Sequence, residues 1–455
     1  VPEESDGDID LEFTFDGTYL IGNTVVVFED LYNNDINVTS HADITDEGQT
    51  VSFPEVGTTA KDSKTLDHVA KPEEKVTIID TVYYHNLMIG KEYEVKGILM
   101  DKETGKALLI NGKEVESSAK FVAEEKDGNV DVVFTFDASE LNGKSVVVFE
   151  DIYENGKKVG THAEIDDEGQ TIHYTDIGTT ATNKETGTHV AYPDKKLEIV
   201  DTVKYTNLVV GKEYTVSGYL MVKETGEPLL VNGKKVTAEK TFKAKTANGT
   251  IDLVFKFDAS ALKGKTIVAF ETISYNDVEV AVHADIEDEE QSIHIPVVVS
   301  TVAQSGGTKI VPVKKNAKIV DTVSYANLIP GESYTIKGTL MDAETGEKLS
   351  LEGVVETTVE FKPDTADGTI DVEFIIDTTG IEGKKLVVFE ELYETSSKEL
   401  LAKHKDINDE GQSVLVDTKP RLPKTGDNFN FAGALVLALI TSIGGVAFFS
   451  KKRRR

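Results

Sequence analysis

From Val1 to Asp417 the apolar residues fall in short runs, rich in β-branched and aromatic side chains and broken by Gly, Asn or Asp. No long segment of this region carries the period of a helix. Short runs between turn-forming residues predict strands. Within Val146–Glu150, strand alternation puts Val146, Val148 and Glu150 on one face and Val147 and Phe149 on the other. Both faces are apolar, which places this Glu in or beside a core. The expected fold is all-β, a string of antiparallel sandwiches with about seven strands apiece; a closed barrel is the second choice.

A longer period overlies the strands. The pattern H-x-[DE]-I-x-D-E-x-Q occurs at His41–Gln49, His162–Gln170, His283–Gln291 and His404–Gln412, with 121 residues between successive glutamines. Such a period means tandem domains, each long enough to bury a core. Full copies open on I/V-D-T-V-x-Y-x-N-L, at Ile79–Leu87, Val200–Leu208 and Val320–Leu328. A G-x-L-M run, an Glu-Thr-Gly turn and a V-x-F-E run follow. The units expected are a partial repeat over 1–57, full repeats over 71–177, 193–298 and 313–417, and a tail over 422–455. The chain opens inside a repeat on Val1, without Met or a signal peptide, and reads as a fragment. Gly57-Thr58-Thr59-Ala60, Gly178-Thr179-Thr180-Ala181 and Gln304-Ser305-Gly306-Gly307 read as connectors between domains.

Composition narrows the partners. With 80 acidic against 48 basic residues and a formal charge of -32, the chain lacks the basic face that nucleic acid requires. It contains no cysteine, so stable cores or another covalent clamp must do the work of disulfides. Neither a cofactor nor a required metal is expected, and no EF-hand loop pattern is present.

The C-terminus is a different object. Leu422-Pro423-Lys424-Thr425-Gly426 precedes an apolar run, Phe429–Phe449, and five basic residues close the chain. The run is long enough to cross a bilayer as a helix, with the basic end held in the cytoplasm. The ordered triple resembles the cell-wall sorting signal of Gram-positive surface proteins. That resemblance implies cleavage by sortase between Thr425 and Gly426, covalent attachment of Thr425 to peptidoglycan, and only transient contact with the membrane.

Within the repeats, His41, His162, His283 and His404 are the histidines that return in every copy. His68 with His189 and His173 with His294 return in pairs, and these, with His85, read as ordinary surface or strand histidines. Upstream of each recurring His lies the V-x-F-E carboxyl: Glu29, Glu150, Glu271 and Glu390. Desolvation would keep such a carboxyl protonated and able to donate a hydrogen bond. Thr81, Thr202 and Thr322 of the opening motif precede Gln170, Gln291 and Gln412 by 89, 89 and 90 residues. First and last strands of a sandwich can be neighbours, which would join a Thr hydroxyl to a Gln amide. A hydroxyl, a His base oriented by an acid, and a carboxyl beside the amide make an acyl-transfer constellation.

D-T-V-x-Y, V-x-F-E and H-x-D-I-x-D-E-G-Q resemble the VaFE-type repeats of Gram-positive adhesins, whose Ig-like domains form a spontaneous Thr–Gln ester. The resemblance implies Thr81 as nucleophile, Gln170 as acyl partner, His162 as base, Asp167 as its orienting acid and Glu150 as the carboxyl polarising the amide. It carries the same roles to Thr202, Gln291, His283, Asp288 and Glu271, and to Thr322, Gln412, His404, Asp409 and Glu390. Glu164 competes with Asp167 for His162. Glu290, standing where the other copies have Gly, puts the turn before Gln291 in question. Gln49 has no Thr partner within the chain, so no ester is expected there.

The function expected is a wall-anchored structural stalk, secreted and cross-linked without external catalysis, rather than an enzyme. Its host ligand is unidentified and is expected to be bound by a region N-terminal to this chain. The alternative is an isopeptide-linked or uncrosslinked pilin-like protein. Lys75 and Lys196 suit the isopeptide chemistry, but Asn316 occupies their position in the third copy.

Overall fold

The computed structural model describes residue 4 and residues 6–418. The sorting pentapeptide and the expected membrane-spanning helix lie outside them. Apart from single-turn 3-10 helices, the regular structure of the described residues is β-strand, and the chain forms tandem Ig-like sandwiches.

In the first full repeat a three-stranded sheet runs in the order Gly128–Phe136, Val76–His85, Glu55–Asp62. It faces a larger sheet ordered Glu116–Val122, Glu92–Asp101, Ser145–Glu154, Thr171–Tyr174 and Val69–Ala70, with Lys157–His162 also paired to Ser145–Glu154. The pairings are antiparallel except that of Thr171–Tyr174 with Val69–Ala70, which is parallel. Ile78, Val82, Leu99, Phe134, Val148, Ile152 and Tyr174 fill the space between the sheets. The second and third repeats reproduce the smaller sheet from Asp176–Asn183, Leu197–Thr206 and Gly249–Phe257, and from Val297–Gln304, Ala317–Ala326 and Gly368–Ile376.

Two of the three stretches read as connectors belong to the sheets. Gly57–Ala60 lies within Glu55–Asp62, paired along its length with Val76–His85, and Gly178–Ala181 lies within Asp176–Asn183. The full repeats therefore start earlier than 71, 193 and 313, and one residue, Thr175, separates Thr171–Tyr174 from the next strand. In the third repeat Gln304 ends the opening strand and Ser305–Gly307 makes a turn after it. A Gly/Thr/Ala run looks like a flexible tie by composition, but its alternation places Thr58, Ala60 and Asp62 on one face.

The partial repeat pairs Glu29–Asn33 with Ile36–His41 and Thr24–Val26 with Thr50–Ser52. Among the described residues it shows no strand equivalent to Val76–His85, and Ile9, Phe13, Phe15 and Tyr19 are all exposed.

Candidate cross-linking site

Strand alternation decides which side chain of the D-T-V motif enters the core. Val76, Ile78, Asp80, Val82 and Tyr84 share the buried face of their strand, and Thr81 lies on the other face. Its hydroxyl donates to Asp131 on the neighbouring strand at 2.8 Å, as Thr202 does to Asp252 at 3.0 Å and Thr322 to Asp371 at 2.6 Å. The three threonines expected as nucleophiles are cross-strand partners on the outer surface, away from the glutamines. The acid beside each of them, Asp80, Asp201 or Asp321, is the inward residue.

The inward threonine comes instead from the opening strand. Register places Thr58 against Val82, Thr179 against Val203 and Thr301 against Val323. In the third repeat a bulge between Val298 and Ser300 shifts the count by one residue. This insertion hides Thr301 from a search at fixed spacing. In the second repeat the Gln291 amide nitrogen donates to both the Thr179 hydroxyl and Glu271, and Thr179 donates to Glu271 at 3.2 Å. Gln170 donates to Glu150 at 2.7 Å, and Gln412 donates to Glu390. The Gln49–Glu29 pair repeats this contact at 2.6 Å in the partial repeat.

These groups are sealed from water: Asp80, Glu150 and Gln170 are exposed by 0%, 1% and 0%. Burial pushes the Glu150 carboxyl far up, and the facing Asp80 adds to the rise; Thr58 and Gln170 oppose part of it. Asp80 is itself raised by burial, less so because it accepts a hydrogen bond from Glu150. Burial and the facing Asp80 thus favour the protonated form of the Glu150 carboxyl. Glu271 with Asp201 and Glu390 with Asp321 are shifted in the same directions by the same causes. Across the sheet from Glu150 stands Gly97 of the G-x-L-M run. A Cβ there would come within 2.6 Å of the Phe134 ring, so a side chain has no room beside the carboxyl.

The H-x-x-x-x-D-E-x-Q stretch brings the histidine to the same place. His162 pairs across the sheet with Glu150, His283 with Glu271 and His404 with Glu390. Asp167 caps the turn that carries Gln170: its Oδ1 accepts from Gly169 N at 2.7 Å, while Oδ2 meets His162 Nε2 at 2.9 Å. The corresponding His–Asp distances are 2.8 Å for His283–Asp288 and 3.1 Å for His404–Asp409. Glu164 takes no part, its carboxyl facing Asp166 N at 3.4 Å. His162 Nδ1 lies 3.3 Å from the carbonyl of Val56, two residues before Thr58.

Glu290 leaves the turn unchanged. Its backbone N–H reaches Asp288 Oδ1 at 2.9 Å, and Asp288 sits at φ -70, ψ 111 against φ -70, ψ 107 for Asp167. Near His68 and His189 the third repeat substitutes Lys309, whose carbonyl accepts from Leu415 as those of the histidines accept from His173 and His294. The Lys309 ammonium donates to the carbonyls of Ala303, at 2.7 Å, and Gly411. It ties the opening strand to the turn before Gln412. Lys75, Lys196 and Asn316 are exposed, each one residue ahead of its strand.

Fold and site together define a class of protein: tandem sandwiches that each enclose a Thr, a Gln and a carboxyl pair. The chain belongs to the T-Q ester bond containing domain family, whose model matches residues 1–53, 54–174, 175–295 and 297–416. The LPXTG cell wall anchor motif matches residues 416–455. The protein is therefore a secreted, peptidoglycan-anchored surface protein of a Gram-positive bacterium, processed by sortase, and structural rather than enzymatic. No curated protein matches the chain. Among solved structures it is similar to a bacterial adhesin from Mobiluncus mulieris containing intramolecular disulfide, isopeptide, and ester bond cross-links. The identity is 13% over 71% of this chain and 99% of that one, with a TM-score of 0.24. A second crystal form of that adhesin gives 16% over 48% and 80%, with a TM-score of 0.23. A 1.5-MDa bacterial ice-binding adhesin gives 11% over 80% and 98%, with a TM-score of 0.20. Scores this low carry no weight for function.

Proposed function

We propose that each full repeat closes an ester between the threonine of its opening strand and the glutamine of its closing turn: Thr58 to Gln170, Thr179 to Gln291, Thr301 to Gln412. The observation that carries this reading is the second site, where one amide nitrogen bonds both the Thr179 hydroxyl and Glu271. Repeats so linked would run over 54–174, 175–295 and 297–416.

The chemistry follows from the positions. His162 takes the Thr58 proton by exchanging the Val56 carbonyl for a hydroxyl on the same strand, and Asp167 stabilises the imidazolium. The Thr58 oxygen bonds to the Gln170 carbonyl carbon. Glu150 stands on the nitrogen side of the amide, so its part is to give its proton to the departing nitrogen rather than to polarise the carbonyl. The C–N bond breaks, ammonia leaves, and the imidazolium proton restores the carboxyl pair. One ester and one ammonia form from one hydroxyl and one amide, without a cofactor.

The role proposed is a stalk. Tension would enter a repeat at Thr58 and leave at Gln170, passing through the ester and sparing the strands between. Sortase would then join the Thr425 carboxyl to peptidoglycan. The test is the intact mass of the chain through Thr425, the form sorting leaves. Three ammonias should be missing, and Thr58→Ala, Thr179→Ala and Thr301→Ala should each restore one. Thr81→Ala, Thr202→Ala and Thr322→Ala should restore none. An unmodified mass would leave a stalk of uncrosslinked sandwiches.

A further inference from the structure

The Asn of the Y-x-N-L motif takes no part in the ester site, yet it adopts the same unusual backbone in all three repeats. Asn86, Asn207 and Asn327 have φ of 65, 65 and 64, a left-handed conformation that Asn tolerates better than most residues. A side chain of the same repeat holds each backbone N–H: Asp127 at 3.0 Å, Asn248 at 2.9 Å and Asp367 at 3.0 Å. So fixed, the amide side chain reaches into the preceding repeat. Asn207 Nδ2 donates to the carbonyls of Lys144 at 2.7 Å and Tyr174 at 3.1 Å. Asn327 Nδ2 donates to those of Lys265 at 2.8 Å and Ile295 at 3.5 Å, and Asn86 Nδ2 to that of Asn23 at 2.6 Å. The Asn oxygen accepts in return from a hydroxyl of the preceding repeat: Thr24 at 3.0 Å, Ser145 at 3.2 Å, Thr266 at 3.0 Å.

The receiving end has a recurrent form. Ser145 pairs across the sheet with His173 and Thr266 with His294, and both imidazoles lie beside the same Asn oxygen, at 3.2 and 3.1 Å. The turn glycines Gly143 and Gly264 abut the next repeat, where a Cβ would stand 3.3 Å from Thr206 and 3.2 Å from Val297. The third repeat differs at each of these places. Register puts Lys385 and Leu415 where the others have Ser/Thr and His. Lys385 pairs with Glu410 at 2.6 Å, and among the described residues nothing lies within 4 Å of where a Cβ on Gly383 would stand.

We propose that this Asn is a clasp between repeats, and that the third repeat is built as the terminal unit of the array. The partner it fits is a sandwich end presenting backbone carbonyls and a Ser or Thr hydroxyl. Because the Asn amide nitrogen donates to main-chain carbonyls at every joint, that half of the recognition tolerates sequence change, and the hydroxyl position is what must be kept. A Lys at that position closes the end. The clasp fixes each joint, so the repeats form a rod rather than a flexible string. This inference stands apart from the ester.

The test is small-angle scattering of the chain through Thr425. Asn207→Gly with Asn327→Gly keeps the left-handed backbone and deletes the clasp. The rod-like distance distribution should give way to a shorter, broader one, while circular dichroism stays that of folded sandwiches. Thr266→Lys, which copies the terminal repeat, should loosen the last joint in the same way. Scattering unchanged by the paired Asn→Gly substitutions would overturn the clasp. Scattering unchanged by Thr266→Lys alone would overturn the terminal-unit assignment.

Discussion

At the residue scale, one step of strand phase separates the threonine proposed to meet the glutamine from the one on the outer face. Thr81 carries the recurrent D-T-V-x-Y signature but points outward to Asp131. Thr58 belongs to an unremarkable Gly/Thr run yet faces the core. The alternation was readable: Val76, Ile78 and Val82 are apolar at the same parity as Asp80, so Asp80 and not Thr81 was the inward residue. The buried carboxyl pair also gives a pH prediction. Glu150 and Asp80 hold a proton in the fold that the unfolded chain releases above its ordinary carboxylate range. A raised folded pKa contributes stability that is present below the unfolded value and lost as pH rises. A chain left unlinked by Thr58→Ala, Thr179→Ala and Thr301→Ala should lose stability between pH 5 and 8. The slope is about 1.4 kcal/mol per pH unit for each retained proton. Adding Glu150→Gln, Glu271→Gln and Glu390→Gln should flatten the slope, as read from urea midpoints by circular dichroism.

At the scale of elements, the H-x-x-x-x-D-E-x-Q stretch is a strand end and a capped turn in one unit. Its offsets are legible because each has a cause: Asp167 accepts from the N–H two residues on, and this turn sets Gln170 inward. The Gly before Gln was less informative than it looked. Gly169 has no positive φ, and Glu290 serves in its place, so the second repeat should link as fully as the others. The G-x-L-M glycine is the stricter one. Gly97→Ala should overpack the Phe134 ring and cost about 1–3 kcal/mol. Thermal unfolding of the unlinked chain would show it, and a neutral result would mean that Phe134 moves aside freely.

At the scale of the whole molecule, the proposed esters join positions more than a hundred residues apart, from Thr58 to Gln170. By analogy with a disulfide closing a loop of that size, each would stabilise its repeat by about 4–5 kcal/mol. The linked chain should therefore need markedly more urea to unfold than the Thr→Ala chain. Under a pulling force its repeats should show no long extension steps, whereas the Thr→Ala chain should show one for each repeat. Equal extension in both would remove the mechanical role.

Period, strand content, anchor motif and the glutamine-bearing turn were decided by the sequence alone, because each rests on spacing within a few dozen residues. Local alternation also determined that the V-x-F-E carboxyl is buried. Which threonine lies inward, and so which pairing with glutamine is proposed, was decided by the tertiary structure. That pairing depends on a sheet edge bringing the two ends of a repeat together, and on a one-residue bulge that keeps Thr301 inward. The carboxyl pair and the joints between repeats are likewise products of packing. Each joins residues whose neighbourhood exists only when two strands or two repeats are laid side by side.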